Sequence, residues 1–316
     1  MNRLLIFDNQ WSRYAGQFQQ TVTTPWEILS VGPSAIEDEI SKADALVALK
    51  LPANLLPRAH RLKLFLYPGA GVVHESPAEL PEGCALVNCF EHETPVAEFV
   101  MMAILMHATG VEEKAAAFRQ GLWLGSGRVG GEPHREVQGS TLGLIGYGHI
   151  GRAVARRAEA FGMRVLALRS NQAERLPQVL SESDFLVIAC PLTPDTRSLI
   201  GAEQLRQMKR TAYLVNVSRA EIVAEQALYE ALRTGQIAGA TLDVWYQYPS
   251  DGSNQGRGSC LPFHELPNVL PTPHMSAWTS GLIRRRIARM CESLDQFSRG
   301  EPLDRVVLRG AWRPQP

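Results

Sequence analysis

Neither sign of charge dominates this chain of 316 residues, in which Lys and Arg number 32 and Asp and Glu also number 32. A balanced chain has no global field to gather nucleic acid or an anionic lipid surface, so no nucleic-acid partner is expected. No apolar run approaches the ~20 residues needed to cross a bilayer, and no membrane partner is expected either. Cysteine is scarce and odd in number (Cys84, Cys89, Cys190, Cys260 and Cys291), without CxxC spacing. That excludes a disulfide framework and a zinc site, and points to reduced thiols in a cytoplasm. The apolar start, Met1 to Phe7, is too short for a secretory leader and Asp8 interrupts it, so it reads as a first strand. No 20–50-residue repeat or low-complexity tract is present. The one local charge run, Arg284-Arg285-Arg286, reads as the solvated face of a helix.

What is present is alternation. Short apolar runs alternate with helical patterns, the signature of a parallel-sheet α/β architecture. Strands are expected at 4–7, 27–29, 45–49, 64–67 and 85–88. A long apolar helix follows from Thr94 to about Arg119, with Thr94 as N-cap, Pro95 at its first position and Glu98 toward its positive end. Its Met101, Met102, Ile104, Leu105 and Met106 read as core. A glycine-rich arm, Gly121 to Gly139, leads into a second series. Its strands are expected at 141–145, 164–168, 185–189, 212–217 and 239–244, and its helices at 148–160 and 225–234. Residues 251–259 read as a mobile loop, and a last helix spans about Ser280 to Arg299.

The strand Leu142-Gly143-Leu144-Ile145 runs directly into Gly146-Tyr147-Gly148-His149-Ile150-Gly151 and then an alanine-rich helix. Strand, GxGxxG and helix in that order form a dinucleotide cradle. Gly146 permits the tight turn, Gly148 admits the pyrophosphate, and Gly151 lets helix pack on strand. The free N–H groups of the helix start, where His149 and Ile150 lie, face the phosphates. A strand-end acid roughly 20 residues on would select NAD. This chain has Arg169-Ser170-Asn171 there. An arginine beside a hydroxyl favours a 2′-phosphate, so NADP(H) is the preferred cofactor, with NAD(H) possible. The plain alternative for Arg169 is a solvated strand-end residue.

With these motifs in view, the chain resembles the D-isomer-specific 2-hydroxyacid dehydrogenase family over nearly its whole length. The resemblance is carried by the glycine loop, Val96-Ala97-Glu98, Pro191 to Arg197, Asn216 to Arg219, Gly239 to Trp245 and Pro267 to His274. It implies two Rossmann-like α/β domains with parallel sheets, the cofactor domain nested within a discontinuous substrate domain. Residues 1–93 plus 280–316 would form the substrate domain and 94–279 the NAD(P)-binding domain, with the site between them and a homodimer formed through the cofactor domain. It further implies that Arg219 grips a substrate carboxylate, that His274 gives a proton to the ketone oxygen, and that Pro191, Thr196 and Asp243 line the cofactor. The alternative role for Asp243 is a loop anchor. Pro68-Gly69-Ala70-Gly71-Val72 resembles the loop whose backbone N–H groups hold the carboxylate, with Ala70 and Gly71 in the matching positions.

One departure bears on the catalytic set. The family pattern is Asp-Val-Phe, two variable residues, then Glu-Pro, the Glu pairing with the histidine. Here the run is Asp243-Val244-Trp245-Tyr246-Gln247-Tyr248-Pro249, which puts Tyr248 in the acid's place. A neutral partner holds the ring without stabilising the imidazolium, so His274 is expected to titrate low, each pKa unit being worth ~1.4 kcal/mol. Asp251 and Glu265 are the nearby acids that would substitute. Trp278, Trp11, Tyr14, Trp245, Tyr246 and Tyr248 either shape the pocket or belong to the core. The expected activity is reduction of a small 2-keto acid such as glyoxylate or hydroxypyruvate. Oxidation of a formate- or phosphite-like anion is the alternative enzyme, and an NADP(H)-binding sensor or corepressor with little turnover is the alternative from another class.

Overall fold

The computed structural model describes residues 1–71, 76–250 and 253–313. Val72, in the turn expected to hold a carboxylate, and Asp251, one of the stand-in acids, lie outside the described residues. The chain divides into two compact units, Met1–Glu91 with Thr279–Pro316, and His92–Trp278.

In the first unit, strands β1 (Asn2–Ile6), β2 (Trp26–Ser30), β3 (Ala45–Val47), β4 (Leu64–Tyr67) and β5 (Ala85–Asn88) run parallel, with helices α1 (Ala15–Thr21) and α2 (Ile36–Glu39) among the connections. The sheet order is β2-β1-β3-β4-β5, extended by a sixth strand late in the chain, Val306–Arg309, which pairs antiparallel with β5. Side chains alternate between two cores, so that Leu4 and Ile6 face one side of the sheet and Leu5 the other. Trp11 is buried in the first of these cores and Tyr14 packs on it.

The second unit opens with α3 (Glu93–Thr109) and α4 (Val111–Arg119). The single helix expected from Thr94 to Arg119 is thus two. Gly110 sits at φ 59°, a left-handed C-cap, and the pair bends by 61° there. His92, not Thr94, is the N-cap, and Glu98 pairs at 3.5 Å with Arg157 of the later helix His149–Ala160. Met101 and Ile104 are buried as expected, whereas Met102 is exposed. No single helix among the described residues is long and apolar enough to cross a membrane.

Then come β6 (Thr141–Ile145), α5 (His149–Ala160), β7 (Arg164–Leu168), α6 (Leu176–Glu182), β8 (Phe185–Ile188), α7 (Ala202–Gln207), β9 (Tyr213–Asn216), α8 (Glu225–Arg233), β10 (Gly239–Leu242) and β11 (Val269–Pro271). They form a wholly parallel sheet of order β7-β6-β8-β9-β10-β11. Phe185 and Val187 face one core, Leu186 and Ile188 the other.

The chain returns to the first unit through α9 (Ser280–Arg299) and ends in β12 (Val306–Arg309). Thr279 caps α9 by accepting from Leu282 N–H at 3.1 Å. Of the arginine run on α9, Arg284 is solvated as expected, whereas Arg285 and Arg286 are bonded. Arg285 donates to the Glu91 carbonyl at 3.0 Å and Arg286 to the Phe90 carbonyl at 2.9 Å, which fastens the helix to the segment leaving β5. The stretch 253–259 is tied at its end: Gln247 N–H donates to the Gly258 carbonyl at 2.9 Å and Ser259 to Glu225 at 2.6 Å.

Candidate active site

Because every strand of the second sheet is parallel, the loops after β6, β7, β8, β9, β10 and β11 all leave from one edge. The strand order reverses between β6 and β8, where an open α/β sheet leaves its ligand crevice.

The glycine turn sits at this reversal. Gly146 has φ +102°, and a Cβ there would lie 2.6 Å from the Cys190 nitrogen. At Gly151 a Cβ would meet the Gly146 carbonyl oxygen at 2.3 Å. Both are therefore glycine for internal reasons. Gly148 is different: its φ is −80°, and a Cβ there would meet nothing within 4 Å. The protein's own packing does not require glycine at that point. An open space at the start of α5, left clear of side chain, fits a pyrophosphate approaching the backbone. His149 begins α5 on its exposed side, while Ile150 packs on the core.

Arg169, at the end of β7, lies over the Tyr147 ring with its guanidinium carbon 5.0 Å from the centroid. The turn after it is closed by Gln172 N–H donating to the Arg169 carbonyl at 3.0 Å. Ser170 beside it is exposed. The β8 loop is closed by Thr196, whose hydroxyl donates to the Pro191 carbonyl at 2.7 Å. Pro191 itself is exposed at the mouth of the crevice.

Arg219 follows β9. Buried Asn216 shapes this turn, donating to the Arg219 carbonyl at 3.0 Å and accepting from Ser218 N–H at 3.1 Å. The Ser218 hydroxyl donates to the Cys190 carbonyl and so ties the turn to the β8 loop. The guanidinium is exposed and donates to the Ser218 carbonyl at 2.8 Å; among the described residues it pairs with no carboxylate.

His274 is carried by the loop after β11 in a left-handed conformation, φ 55°, unusual for a residue with a Cβ. Asp243 holds it there. Its carboxylate is fully buried and accepts from the Thr272 hydroxyl at 2.6 Å, Met275 N–H at 2.8 Å and Ser276 N–H at 3.0 Å. Of the two roles considered for Asp243, these contacts are those of the loop anchor. Tyr248 Oη lies 2.9 Å from His274 Nδ1 and accepts from Trp245 N–H at 3.3 Å. Tyr248 therefore stands against the histidine where the family's acid would. Glu265 lies beside His264 at 3.6 Å.

Partial burial is the main effect that pushes the His274 imidazole below its ordinary pKa. The Asp243 charge opposes that shift and the Arg219 charge adds to it. Burial likewise raises the Tyr248 phenol, against Trp245 N–H and Arg219. Trp245 and Tyr246 are core rather than pocket wall. The Trp245 indole donates to the Thr272 carbonyl at 2.8 Å, and Tyr246 stacks on Phe263. Trp278 is 42% exposed.

In the first unit, Ala70 and Gly71 follow β4. Asn88 donates to the Ala70 carbonyl at 2.9 Å and Cys89 N–H to the Gly69 carbonyl at 2.9 Å, so the turn's carbonyls point inward to these partners. Roles that sequence patterns do not reveal belong to Tyr147 under Arg169, Asn216 inside the arginine turn, and the Trp245 backbone N–H.

A parallel sheet with a glycine crevice at its reversal defines a dinucleotide-binding α/β protein. Residues 101–276 match the model of the D-isomer specific 2-hydroxyacid dehydrogenase, NAD binding domain. The chain is 35% identical over 280 residues to a glycerate dehydrogenase of Methylorubrum extorquens, covering 85% of this chain and 87% of that one. It is 37% identical over 302 residues to a glyoxylate reductase of Korarchaeum cryptofilum, covering 89% and 87%. Among solved structures, an NADPH-dependent glyoxylate/hydroxypyruvate reductase from Sinorhizobium meliloti, in complex with NADP and sulfate, is similar with TM-score 0.77 at 27% identity, over 97% of this chain and 98% of that one. The chain belongs to the D-isomer-specific 2-hydroxyacid dehydrogenase family, and is thus an NAD(P)-dependent oxidoreductase of small hydroxy and keto acids.

Proposed function

We propose that the protein is an NADP(H)-preferring reductase of a small 2-keto acid of the glyoxylate or hydroxypyruvate type. The carrying observation is the pairing of an exposed Arg219, without a carboxylate partner among the described residues, with His274 held by Asp243 and Tyr248. Arg219 grips the substrate carboxylate through its planar fork, which orients the neighbouring carbonyl. His274 as imidazolium gives its Nε2 proton to the ketone oxygen. The bound dinucleotide supplies the hydride. Gly146, Gly148, Gly151 and the start of α5 at His149 and Ile150 hold its pyrophosphate, with Pro191 and Thr196 around the nicotinamide half. Preference for the 2′-phosphate is supported by Arg169, which stacks on Tyr147 beside Ser170 and has no acid beside it among the described residues.

The working form is a homodimer, supported by the exposed apolar set of α4 and the arm, Phe118, Leu122, Trp123, Leu124 and Val129. Five unpaired cysteines favour a cytoplasmic setting. The formate-like reading loses support at Trp245, whose indole is occupied by Thr272 in the core.

The test is NADPH against NADH consumption with a panel of 2-keto acids. Turnover should prefer NADPH, fall about 10²- to 10⁴-fold in His274→Ala, and lose its preference by about 10-fold or more in Arg169→Ala. Tight NADPH binding without turnover on any 2-keto acid would sink the reductase reading in favour of a sensor.

A further inference from the structure

We propose that Tyr248 sets the tautomer of His274: its phenolic O–H donates to Nδ1, so the neutral ring carries its proton on Nε2 and turns a donor toward the substrate oxygen. The use of that proton rests on the reductase reading; the tautomer itself does not.

One neighbour of the phenol, a backbone N–H, can only donate. Trp245 N–H lies 3.3 Å from Tyr248 Oη, so the oxygen accepts there. The phenol keeps one hydrogen, and the neighbour on its other side is His274 Nδ1 at 2.9 Å. Between a phenol and a neutral imidazole, the unprotonated ring nitrogen is the stronger acceptor and the phenol the stronger donor. O–H···N is therefore favoured over N–H···O. The frame is fixed on both sides. Trp245 is held through its indole to the Thr272 carbonyl at 2.8 Å, and Thr272 in turn donates to Asp243, which anchors the His274 loop. Among the described residues, no protein group bonds Nε2, so that nitrogen is left to the ligand.

A carboxylate in place of Tyr248 would do the opposite. It can only accept, so it would take Nδ1–H and leave the neutral ring with a lone pair on Nε2. Tyrosine thus inverts the neutral imidazole. In reduction the imidazolium loses its Nε2 proton to the ketone oxygen as hydride reaches the carbonyl carbon: the Nε2–H bond breaks, an O–H bond forms and the electron pair stays on nitrogen. The ring is left with its Nδ1 proton. It regains the resting tautomer when Nε2 takes a proton from solvent, the Nδ1 proton is released to solvent, and the phenolic O–H turns back to the ring. Tyr248 is half exposed, which leaves the hydroxyl free to turn.

Ground-state binding and turnover therefore separate with pH. Neutral His274 still donates Nε2–H to a bound carbonyl, while only the imidazolium delivers the proton. The charges facing the ring are Asp243 and Arg219, with Glu221 acting on Tyr248.

The test is ¹⁵N-histidine NMR on the full-length protein above the His274 titration, with His274 assigned by its loss in His274→Gln. Wild type is expected to show a protonated Nε2 and an unprotonated Nδ1, and Tyr248→Glu the reverse. A wild-type ring protonated on Nδ1, or a pattern unchanged by Tyr248→Glu, would overturn the proposal. Tyr248→Phe, which keeps the ring, should lose the single tautomer. With oxamate as a non-reducible keto-acid isostere, wild-type affinity should stay within about 2-fold while kcat falls about 10-fold per pH unit above the titration. In Tyr248→Glu, oxamate affinity and kcat should fall together. An Nε2–H ring in a protein that reduces no 2-keto acid would uphold the tautomer and sink only the reductase reading.

Discussion

Asp243 has no exposed surface, yet its carboxylate accepts three hydrogen bonds, all from the loop that carries His274. A buried carboxylate is stable only when its lone pairs are used in this way. Asp243→Asn keeps the shape, removes the charge and turns an NH₂ toward a backbone N–H. It should cost about 1–3 kcal/mol of stability by urea unfolding. It should also lower His274 further, because Asp243 is the charge that holds its pKa up. Reduction needs the imidazolium, so activity is lost as pH rises through that pKa, and the falling limb of the rate profile should move to lower pH in the variant. A limb at the wild-type position would contradict this electrostatic role. Much of this was legible in the letters. Counting from Asp243 puts Tyr248 in the acid's place, and the 2.9 Å contact with His274 agrees. What has no letter is a backbone donor. Trp245 N–H decides which way Tyr248 turns its hydrogen, and no side-chain pattern announces it.

The turn from β6 into α5 is read differently at its three glycines. Gly151→Ala would drive a Cβ to 2.3 Å from the Gly146 carbonyl, backbone against backbone, and should destabilise the protein by about 1–3 kcal/mol. Gly148→Ala meets open space, so thermal unfolding should shift little while the dinucleotide Kd rises about 10-fold or more. Equal loss of stability in both variants would remove the argument that Gly148 is kept clear for a ligand. Elements of this kind were the most legible part of the chain. The strands Leu64–Tyr67, Thr141–Ile145 and Arg164–Leu168 fall where their apolar runs put them. The failures have local causes. Gly110 breaks the helix because one left-handed residue ends it, whereas the apolar pattern continues across the break. Strand β12 is short and half exposed, its three apolar residues Val306–Leu308 are bounded by Arg305 and Arg309, and pairing with β5 makes so short a run a strand.

At the scale of the whole molecule, the unexplained residues are apolar and outside. Phe118, Leu122, Trp123, Leu124 and Val129 are 48–61% exposed, and Phe118 meets Trp123 edge to face at 5.6 Å. Gly121, Gly125 and Gly130 turn this arm through positive φ. Solvated side chains of this size contribute nothing to the cores of the second unit, and a monomer rarely carries such a patch bare. A two-fold partner presenting the same patch would bury it against itself. Sedimentation equilibrium should therefore give about twice the chain mass of 34.9 kDa. The unfolding temperature should rise with protein concentration, as it does when association stabilises the fold. Trp123→Glu puts a charge into the patch proposed to pair and should weaken such a dimer about 30-fold or more, the cost of losing a central aromatic contact. Circular dichroism should be unchanged, because Trp123 belongs to none of the buried clusters. A wild-type chain that stays monomeric at tens of micromolar would leave these residues without a partner of this kind. A Trp123→Glu variant that unfolds instead of dissociating would mean the arm packs on its own unit.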